Sequence, residues 1–328
     1  RALYNTSIQQ TDEEQMLLNL VRLKYRDTPF FMEVSSVSSQ FVFNPKVTIG
    51  APGTVGGSIV DLLNFGGGID YQEKPTITYT PLRGEQFAKR MLSPISLDSL
   101  LLLYHSGWSI ERIFRVALLR INDVRNAPSA SGPTPKIAPE YKDFQKVAEV
   151  FRELQRRDAL DMGYETTKTG DQLVMHLDYS RLGRQQKNKL SSLLSLDPNG
   201  KRISISTELI RGANNHITLI PRSLMGVLFY LSQGVEVSKE DEDLGLVTIT
   251  QNTDGSVFDW GEVVGDLIRV VSSKEKPFGT SVAVEYRGVW FYINDSDLES
   301  KSTFSLLSQL VALQSGEART RPPVYTIQ

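Results

Sequence analysis

The chain has 328 residues, of which 40% are hydrophobic and 23% are charged, a composition that is typical of globular proteins and excludes wholesale disorder. The formal net charge of -2 gives no general attraction to nucleic-acid phosphates. The absence of cysteine excludes disulfides, cysteine-ligated zinc, iron–sulfur clusters and thiol catalysis within these residues, and it suits an oxidising compartment.

The first predicted helix begins at Thr11, where Thr11 and Glu14 fit a capping box. Apolar residues then recur at helical spacing until Pro29, which disfavours helical backbone in the residue before it. The segment 30–43, FFMEVSSVSSQFVF, is rich in aromatic and β-branched residues and predicts one or two strands.

Residues 50–68 contain seven glycines, but their spacing fits neither a dinucleotide-binding loop nor a P-loop. The favoured interpretation is a flexible connection between strands. The alternative is a β-hairpin that inserts into a membrane, or packs on a membrane or a neighbouring subunit. Pro45, Pro52 and Pro75 argue against this alternative because they interrupt the alternation of strand residues.

Residues 74–82 predict a strand that leads into a helix, with Thr80 as its cap and Pro81 at its first position. Residues 96–123 then predict a helical hairpin with a Ser-Gly turn. A DNA-reading helix–turn–helix is the alternative, in which Arg112, Arg115 and Arg120 would contact phosphates. No basic stripe accompanies the motif, so a packed pair of helices is favoured.

Residues 126–139 contain four prolines with Ala, Ser and Gly, and they predict an exposed linker or long loop. We therefore expect an N-terminal lobe at residues 1–125 and a C-terminal lobe at residues 140–328. Further predicted elements are a helix at 140–160, a strand at 172–179, a helix or crossing at 181–196, a strand at 202–210, a helix at 221–234 and a strand at 244–251. Without regular βαβ alternation, this order predicts an α+β fold of mixed helices and largely antiparallel strands.

No motif predicts a catalytic, cofactor-binding or metal-binding residue. The three histidines lie far apart, and Pro277 after Lys276 argues against a helical Ser-x-x-Lys motif beginning at Ser273. The acidic run 294–299 lacks the glycine and the final carboxylate of a calcium loop in either register. Its carboxylates fit the start of a helix that ends at Gly316.

Residues 281–286 and 289–294 alternate around Arg287 and Gly288, and predict a tight hairpin. Trp290 and Tyr292 share one face of the second strand. Core packing is the favoured role of this face, because aromatic stripes in strands usually serve the interior. The alternative is a surface for a partner, on which Trp290, Tyr292 and Arg287 are the candidate binding residues.

Three blocks of the sequence, DEEQMLLNLVRLKYRDTPFFMEVSSVSSQF, EKPTITYTPLRGEQFAKRML and YRGVWFYINDSDLESKSTFSLLSQL, resemble a family of exported proteins of Gram-negative bacteria. Many of these proteins are predicted outer-membrane lipoproteins of unknown function. The resemblance implies a periplasmic location, with anchoring to the outer membrane. An acylated cysteine would then lie upstream of Arg1.

The resulting hypothesis is a non-enzymatic, periplasm-facing structural or accessory subunit of an outer-membrane-associated assembly. Its partners would be other envelope proteins, in a homo- or hetero-oligomeric assembly, and it would not bind nucleic acid. It would associate with the membrane through the upstream lipid anchor rather than a transmembrane helix. The alternative is a periplasmic hydrolase or ligand-binding protein whose site forms only in the fold. That alternative predicts a deep pocket that gathers groups such as His105, Asp259 or His216. A third class, a DNA-binding regulator, would rest on residues 96–121.

Overall fold

A computed structural model describes residues 2–48, 66–168, 170–197, 199–208 and 215–316. The fold is α+β, with mixed helices and largely antiparallel strands, which confirms the predicted class. The chain divides into two compact units, residues 1–11 with 30–82 and residues 12–29 with 83–328. None of the helices within the described ranges is long and apolar enough to cross a membrane.

The first unit contains the start of helix α1 (Ala2–Lys24) and a long antiparallel hairpin. Its strands are β1 (Met32–Thr48) and β2 (Gly66–Pro81), which pair from Met32↔Pro81 to Thr48↔Gly66 with one register shift between Val34 and Ser36. Most of the predicted glycine-rich connection lies outside the described residues, and its last three glycines begin β2.

Two predicted helix starts are wrong. Helix α1 begins at Ala2 rather than Thr11, because the preceding residues contain no proline or glycine to stop it. Pro81 ends β2 instead of opening a helix, and the next helix starts at Glu85. Gly84 directly precedes that helix with φ 98°, a left-handed backbone that glycine adopts readily, so the helix begins four residues later than expected.

The second unit contains the end of α1 and every element after β2. Its helices are α2 (Glu85–Leu92), α3 (Leu97–His105), α4 (Ile110–Ala117), α5 (Lys142–Arg156), α6 (Arg184–Leu194), α7 (Leu224–Ser232), α8 (Lys239–Asp243), α9 (Gly261–Val264) and α10 (Leu298–Gly316). Its strands are β3 (Leu118–Ile121), β4 (Val124–Arg125), β5 (Leu160–Thr167), β6 (Gly170–Leu177), β7 (Arg202–Ser206), β8 (His216–Pro221), β9 (Val271–Ser273), β10 (Thr280–Tyr286) and β11 (Val289–Asn294). The predicted strand at 244–251 is not formed.

The larger sheet of this unit has the strand order β4-β3-β8-β7-β6-β5. All its neighbours are antiparallel except β7 and β8, which run parallel. Helix α5 packs against α4 and α6 and against the sheet's two end strands. The rings of Phe114 and Phe151, both 1% exposed or less, meet edge to face at 5.7 Å and centre this core.

The predicted helix of residues 108–123 ends early, at Ala117, because the next four residues pair with β8 as strand β3. Tertiary pairing therefore overrides local helix propensity here. The Asn126 amide holds this corner by donating to the carbonyl oxygens of Arg115 and Leu118, at 2.8 Å each.

The proline-rich segment 126–139 connects elements of the same unit and is partly buried. Ala127 and Ala130 are fully buried, and Thr134 is 2% exposed. The guanidinium of Arg222, itself fully buried, donates to the carbonyl oxygen of Asn126 and lies 4.0 Å from the ring centre of Tyr230. Burial lowers the pKa of Arg222 to about 10.

The arginines of the helical hairpin bind carboxylates of the chain itself. Arg115 is 3% exposed and forms a bidentate pair with Asp266, at 2.5 and 2.6 Å. Arg112 pairs with Glu299 and donates to the Thr303 hydroxyl at 2.6 Å. These two side chains therefore tie α4 to the C-terminal part of the unit.

Candidate partner-binding surface

The predicted tight hairpin of the C-terminal sheet is confirmed. Strands β10 and β11 pair antiparallel, and β9 adds to β11 as a third strand. Arg287 and Gly288 have φ 54° and 76°, so both central turn residues adopt left-handed backbone. That combination matches the twist of the flanking strands and closes a two-residue loop.

The two faces of this sheet have different surroundings. Val282 and Val284 of β10 lie opposite Ile293 and Phe291 of β11, and all four are at most 8% exposed. Because successive strand residues point to opposite faces, these four residues define the buried face. Trp290 and Tyr292 lie on the opposite face and are half-buried. The aromatic stripe is therefore not on the core face that the favoured interpretation assigned to it.

We call this second side the outer face. Its paired positions are Val271, Ser273, Ala283, Glu285, Trp290 and Tyr292, none of which is buried. The ammonium group of Lys276 lies 5.2 Å from the Trp290 ring centre, in cation–π range. In the same loop, 95% of Phe278 is exposed. Two partly exposed aromatic rings, a cation and an almost fully exposed phenyl ring thus lie on or beside one small sheet.

Arg287, the third predicted site residue, lies at the turn and contacts the segment after α1. Its guanidinium lies 5.3 Å from the Tyr25 ring centre and 5.6 Å from that of Tyr286, and it donates to Asp27 at 3.2 Å. The hydrogen bond from Tyr286, followed by that from Arg287, lowers the pKa of Asp27 against an opposing effect of burial. Arg287 therefore anchors the hairpin within its own unit.

Tyr25 connects the hairpin to the rest of the unit. Its hydroxyl donates to Asp241 at 2.6 Å, and its ring meets those of Tyr286 and Phe291 edge to face at 5.7 and 6.2 Å. Burial and the acceptor Asp241 raise the pKa of Tyr25. Sequence reasoning missed this residue, because no local pattern joins positions more than 200 residues apart.

The three histidines occupy separate places. His105 ends α3 and stacks edge to face on Tyr104 at 5.3 Å. His176 binds Glu165 at 2.7 Å on the surface of β6. His216 is buried on β8, and burial lowers its pKa.

His216 lies between two serine hydroxyls. Its Nδ1 is 2.9 Å from Ser204 Oγ, and its Nε2 is 3.2 Å from Ser206 Oγ. Both ring nitrogens are thus occupied by neighbouring strand β7. This arrangement ties the parallel strand pair together, because one imidazole bridges two hydroxyls of the adjacent strand.

A cleft of about 660 Å³ lies beside β4 and the start of α5. Its lining carries the carboxylates of Asp123, Glu140, Asp143, Asp259 and Glu262 and the cations Arg125 and Lys142. Asp259 is the one residue of the predicted His105–Asp259–His216 group that lines it. Its carboxylate accepts the Gly261 N–H at 2.7 Å, at the start of α9, so it also supports local structure.

Within the described ranges, no group of three or more His, Asp or Glu side chains is placed to hold a metal ion. No protein-family model, curated protein or solved structure matches this chain. The resemblance to exported Gram-negative proteins stays a prediction, and functional inference rests on the geometry.

Proposed function

We propose that this protein is a non-enzymatic subunit of a cell-envelope assembly and acts by binding other proteins. The observation that carries the proposal is the outer face, where Trp290 and Tyr292 are partly exposed and Phe278 is 95% exposed in the adjoining loop. Aromatic side chains are enriched at protein interfaces because they bury a large area with little loss of conformational freedom. A partner that covers this face would desolvate all three rings.

The placement of the polar groups supports a binding role. His216 bridges two serines of β7, and Arg115 and Arg112 bind carboxylates within their unit. These groups hold the fold together. The outer face, by contrast, combines apolar rings with the cation of Lys276, a mixture that suits the centre of a protein interface.

The resemblance of three sequence blocks to exported Gram-negative proteins supports the proposed compartment. We place the protein in the periplasm, attached to the outer membrane by a lipid anchor upstream of Arg1. The absence of cysteine in the chain suits this oxidising location.

Chemical crosslinking of intact cells, followed by membrane fractionation and mass spectrometry, tests the proposal. We expect the protein in the outer-membrane fraction, with crosslinks from Lys276 to envelope proteins. Lys89, which is also exposed but lies on α2, serves as the comparison lysine. Recovery of the protein in the cytoplasm, or crosslinks from Lys89 alone, would contradict the proposal.

Ligand binding in the acidic cleft is the second candidate function, because five carboxylates face two cations there. Such a site favours a cationic group, for example a basic peptide. Calorimetric titration with a lysine pentapeptide tests this candidate. Binding that weakens with salt and in Glu140→Gln would support it, and absence of heat at low salt would exclude such a peptide.

A further inference from the structure

The hairpin β1–β2 is a sheet of two strands, and within the described part of the chain no third strand joins it. Its strands have 17 and 16 residues. Neither strand has a second partner strand among these residues, so each has an outer edge at which a further strand can add. A two-stranded hairpin is at best marginally stable alone in water, and an edge of this length is a template for another strand.

The sequence along this hairpin alternates in step with the strand period. From Val37 to Val47, odd positions of β1 hold Val, Ser, Phe, Phe, Pro and Val, whereas even positions hold Ser, Gln, Val, Asn and Lys. In β2, odd positions from Ile69 to Tyr79 hold Ile, Tyr, Glu, Pro, Ile and Tyr, and even positions hold Asp, Gln, Lys and two Thr. From Ser36 to Thr48 the register pairs odd with odd and even with even positions. The odd, largely apolar positions therefore share one face of the ribbon, and the even, largely polar positions share the other.

We propose that each outer edge of this hairpin pairs with the hairpin of a neighbouring copy of the same chain, β1 of one copy against β2 of the next. This inference deepens the proposed function by naming a second copy as one partner. When neighbouring hairpins point the same way, β1 and the next copy's β2 run antiparallel, which is also their direction within one hairpin. The continued sheet keeps one apolar and one polar face.

The charges of the two strands are compatible with this pairing. In the register of the hairpin, Lys46 lies opposite Gly68, Asp70 opposite Asn44 and Glu73 opposite Phe41. Lys74 lies opposite Gln40, and Glu33 opposite Thr80. No two like charges are directly opposed, so a neighbouring copy that adopts the same register meets no charge repulsion across the edge.

The size of the edge is sufficient for a stable contact. Sixteen residues at about 3.4 Å each give a strand of roughly 54 Å, and a sheet is about 10 Å thick. The strip covered on each partner is therefore roughly 540 Å², or about 1,080 Å² for the interface, above the approximately 1,000 Å² expected of a specific contact. Pro45 in β1 and Pro75 and Pro81 in β2 each remove one backbone donor and leave the other positions of each strand able to pair.

The pairing is head-to-tail, because one edge of each copy meets the opposite edge of the next. Such a heterologous contact closes into a ring when the rotation between copies permits, and otherwise extends as a fibre. The sheet twist adds a rotation of about 20 to 25° at each strand, which favours closure over a flat, unlimited sheet.

Cysteine crosslinking of the purified full chain tests this inference on a background without native cysteine. Two single variants, Ser38→Cys in β1 and Thr76→Cys in β2, replace residues that are partners in the hairpin register. One sample contains the two variants in equal amounts, and two further samples contain one variant each. All are oxidised at about 10 µM protein, with and without a non-ionic detergent. Thr253→Cys, at an exposed position of the second unit, reports random collisions.

We expect the mixed Ser38→Cys and Thr76→Cys sample to form disulfide dimers about fivefold or more above the Thr253→Cys sample, through the high effective concentration of a paired edge. Unmodified protein should sediment as an oligomer under the same conditions.

A monomer in both solutions, or dimers no more frequent than in the control, would overturn the inference. So would a monomer that floats with phosphatidylethanolamine–phosphatidylglycerol vesicles, since lipid alone would then cover the apolar face. Dimers mainly between identical positions would overturn the head-to-tail arrangement. These outcomes concern the purified chain only, so they are distinguishable from a failure to find envelope partners in cells.

Discussion

The Tyr286 hydroxyl donates a hydrogen bond to the carboxylate of Asp27, which lies 259 positions earlier in the chain. Arg287 donates to the same carboxylate oxygen. One acidic side chain after α1 thus holds the turn end of the C-terminal hairpin. This contact fixes the orientation of the sheet that presents the outer face.

We predict that Asp27→Asn lowers the free energy of unfolding at pH 7 by about 1 to 2 kcal/mol, because the bonds from Tyr286 and Arg287 lose their charged acceptor. The pKa of Asp27 is lowered in the fold, so its contribution is complete above the unfolded value near 3.9 and is lost as pH falls through the folded pKa. Urea unfolding at pH 7 and pH 3 measures both effects. Asp161→Asn, at an exposed position of β5, is the control, and an equal loss in that variant would contradict the assignment.

Lys24 predicts that the stability of the fold rises with pH in alkaline solution. It is 7% exposed and donates to Gln233 at 3.3 Å, and burial lowers its pKa to about 8. Between about pH 8 and 10.4 the unfolded chain holds more protons than the fold, so stability should rise with pH in this window.

We therefore expect Lys24→Met to remove this rise and to be more stable than the parent at pH 7, by on the order of 1 to 3 kcal/mol. Denaturant unfolding at pH 7 and pH 10 measures the difference. Lys89→Met, in an exposed pair with Glu85, is the control and should leave the stability at pH 7 nearly unchanged. A less stable Lys24→Met protein at pH 7 would show that the hydrogen bond outweighs the burial of the charge.

His216 predicts a loss of stability in weak acid. Its pKa is lowered by burial, so the unfolded chain takes up a proton first as pH falls below about 6.5, and stability declines until the folded pKa is passed. The variant His216→Gln should lack this part of the acid dependence. Thermal unfolding between pH 7 and pH 5 provides the measurement, and a His216→Gln variant that keeps the parent slope would contradict the prediction.

The hairpin and its following helix could be predicted from sequence because their signals are local. Arg287 and Gly288 adopt the turn expected between two alternating strands. Asp297 caps α10 by accepting the Ser300 N–H at 3.0 Å, as the acidic run indicated. The flexible connection expected at the glycine-rich residues 50–68 stays a prediction. The boundary between two lobes at residues 126–139 also stays a prediction.

Other features depend on contacts between distant positions and had no local signature. Leu118 to Ile121 follow a helical pattern but pair with β8, and Tyr25 meets Asp241 only in the fold. Arg222 is fully buried, although arginine side chains usually lie at the surface of a protein. Strand alternation shows that Trp290 and Phe291 lie on opposite faces of the sheet. It does not determine which of the two faces the rest of the unit covers.

The two faces of β11 predict different costs for neighbouring substitutions. Phe291 is 1% exposed, and Phe291→Ala should lower the free energy of unfolding by about 3 to 5 kcal/mol through the cavity it leaves. Trp290→Ala, on the half-exposed face, should cost about 1 kcal/mol. Denaturant titration of both variants measures the contrast. Equal losses would place Trp290 in the core and remove it from the binding surface.

Site-specific photocrosslinking in living cells tests the central claim, that the outer face binds another protein. A photoreactive phenylalanine replaces Phe278, which is 95% exposed beside this face, and in a second strain it replaces Tyr164, which is 50% exposed on β5. Illumination at position 278 should yield a discrete adduct with an envelope protein, and Trp290→Ala in the same chain should weaken it severalfold. Adducts equally strong from both positions, or none from position 278, would contradict the claim.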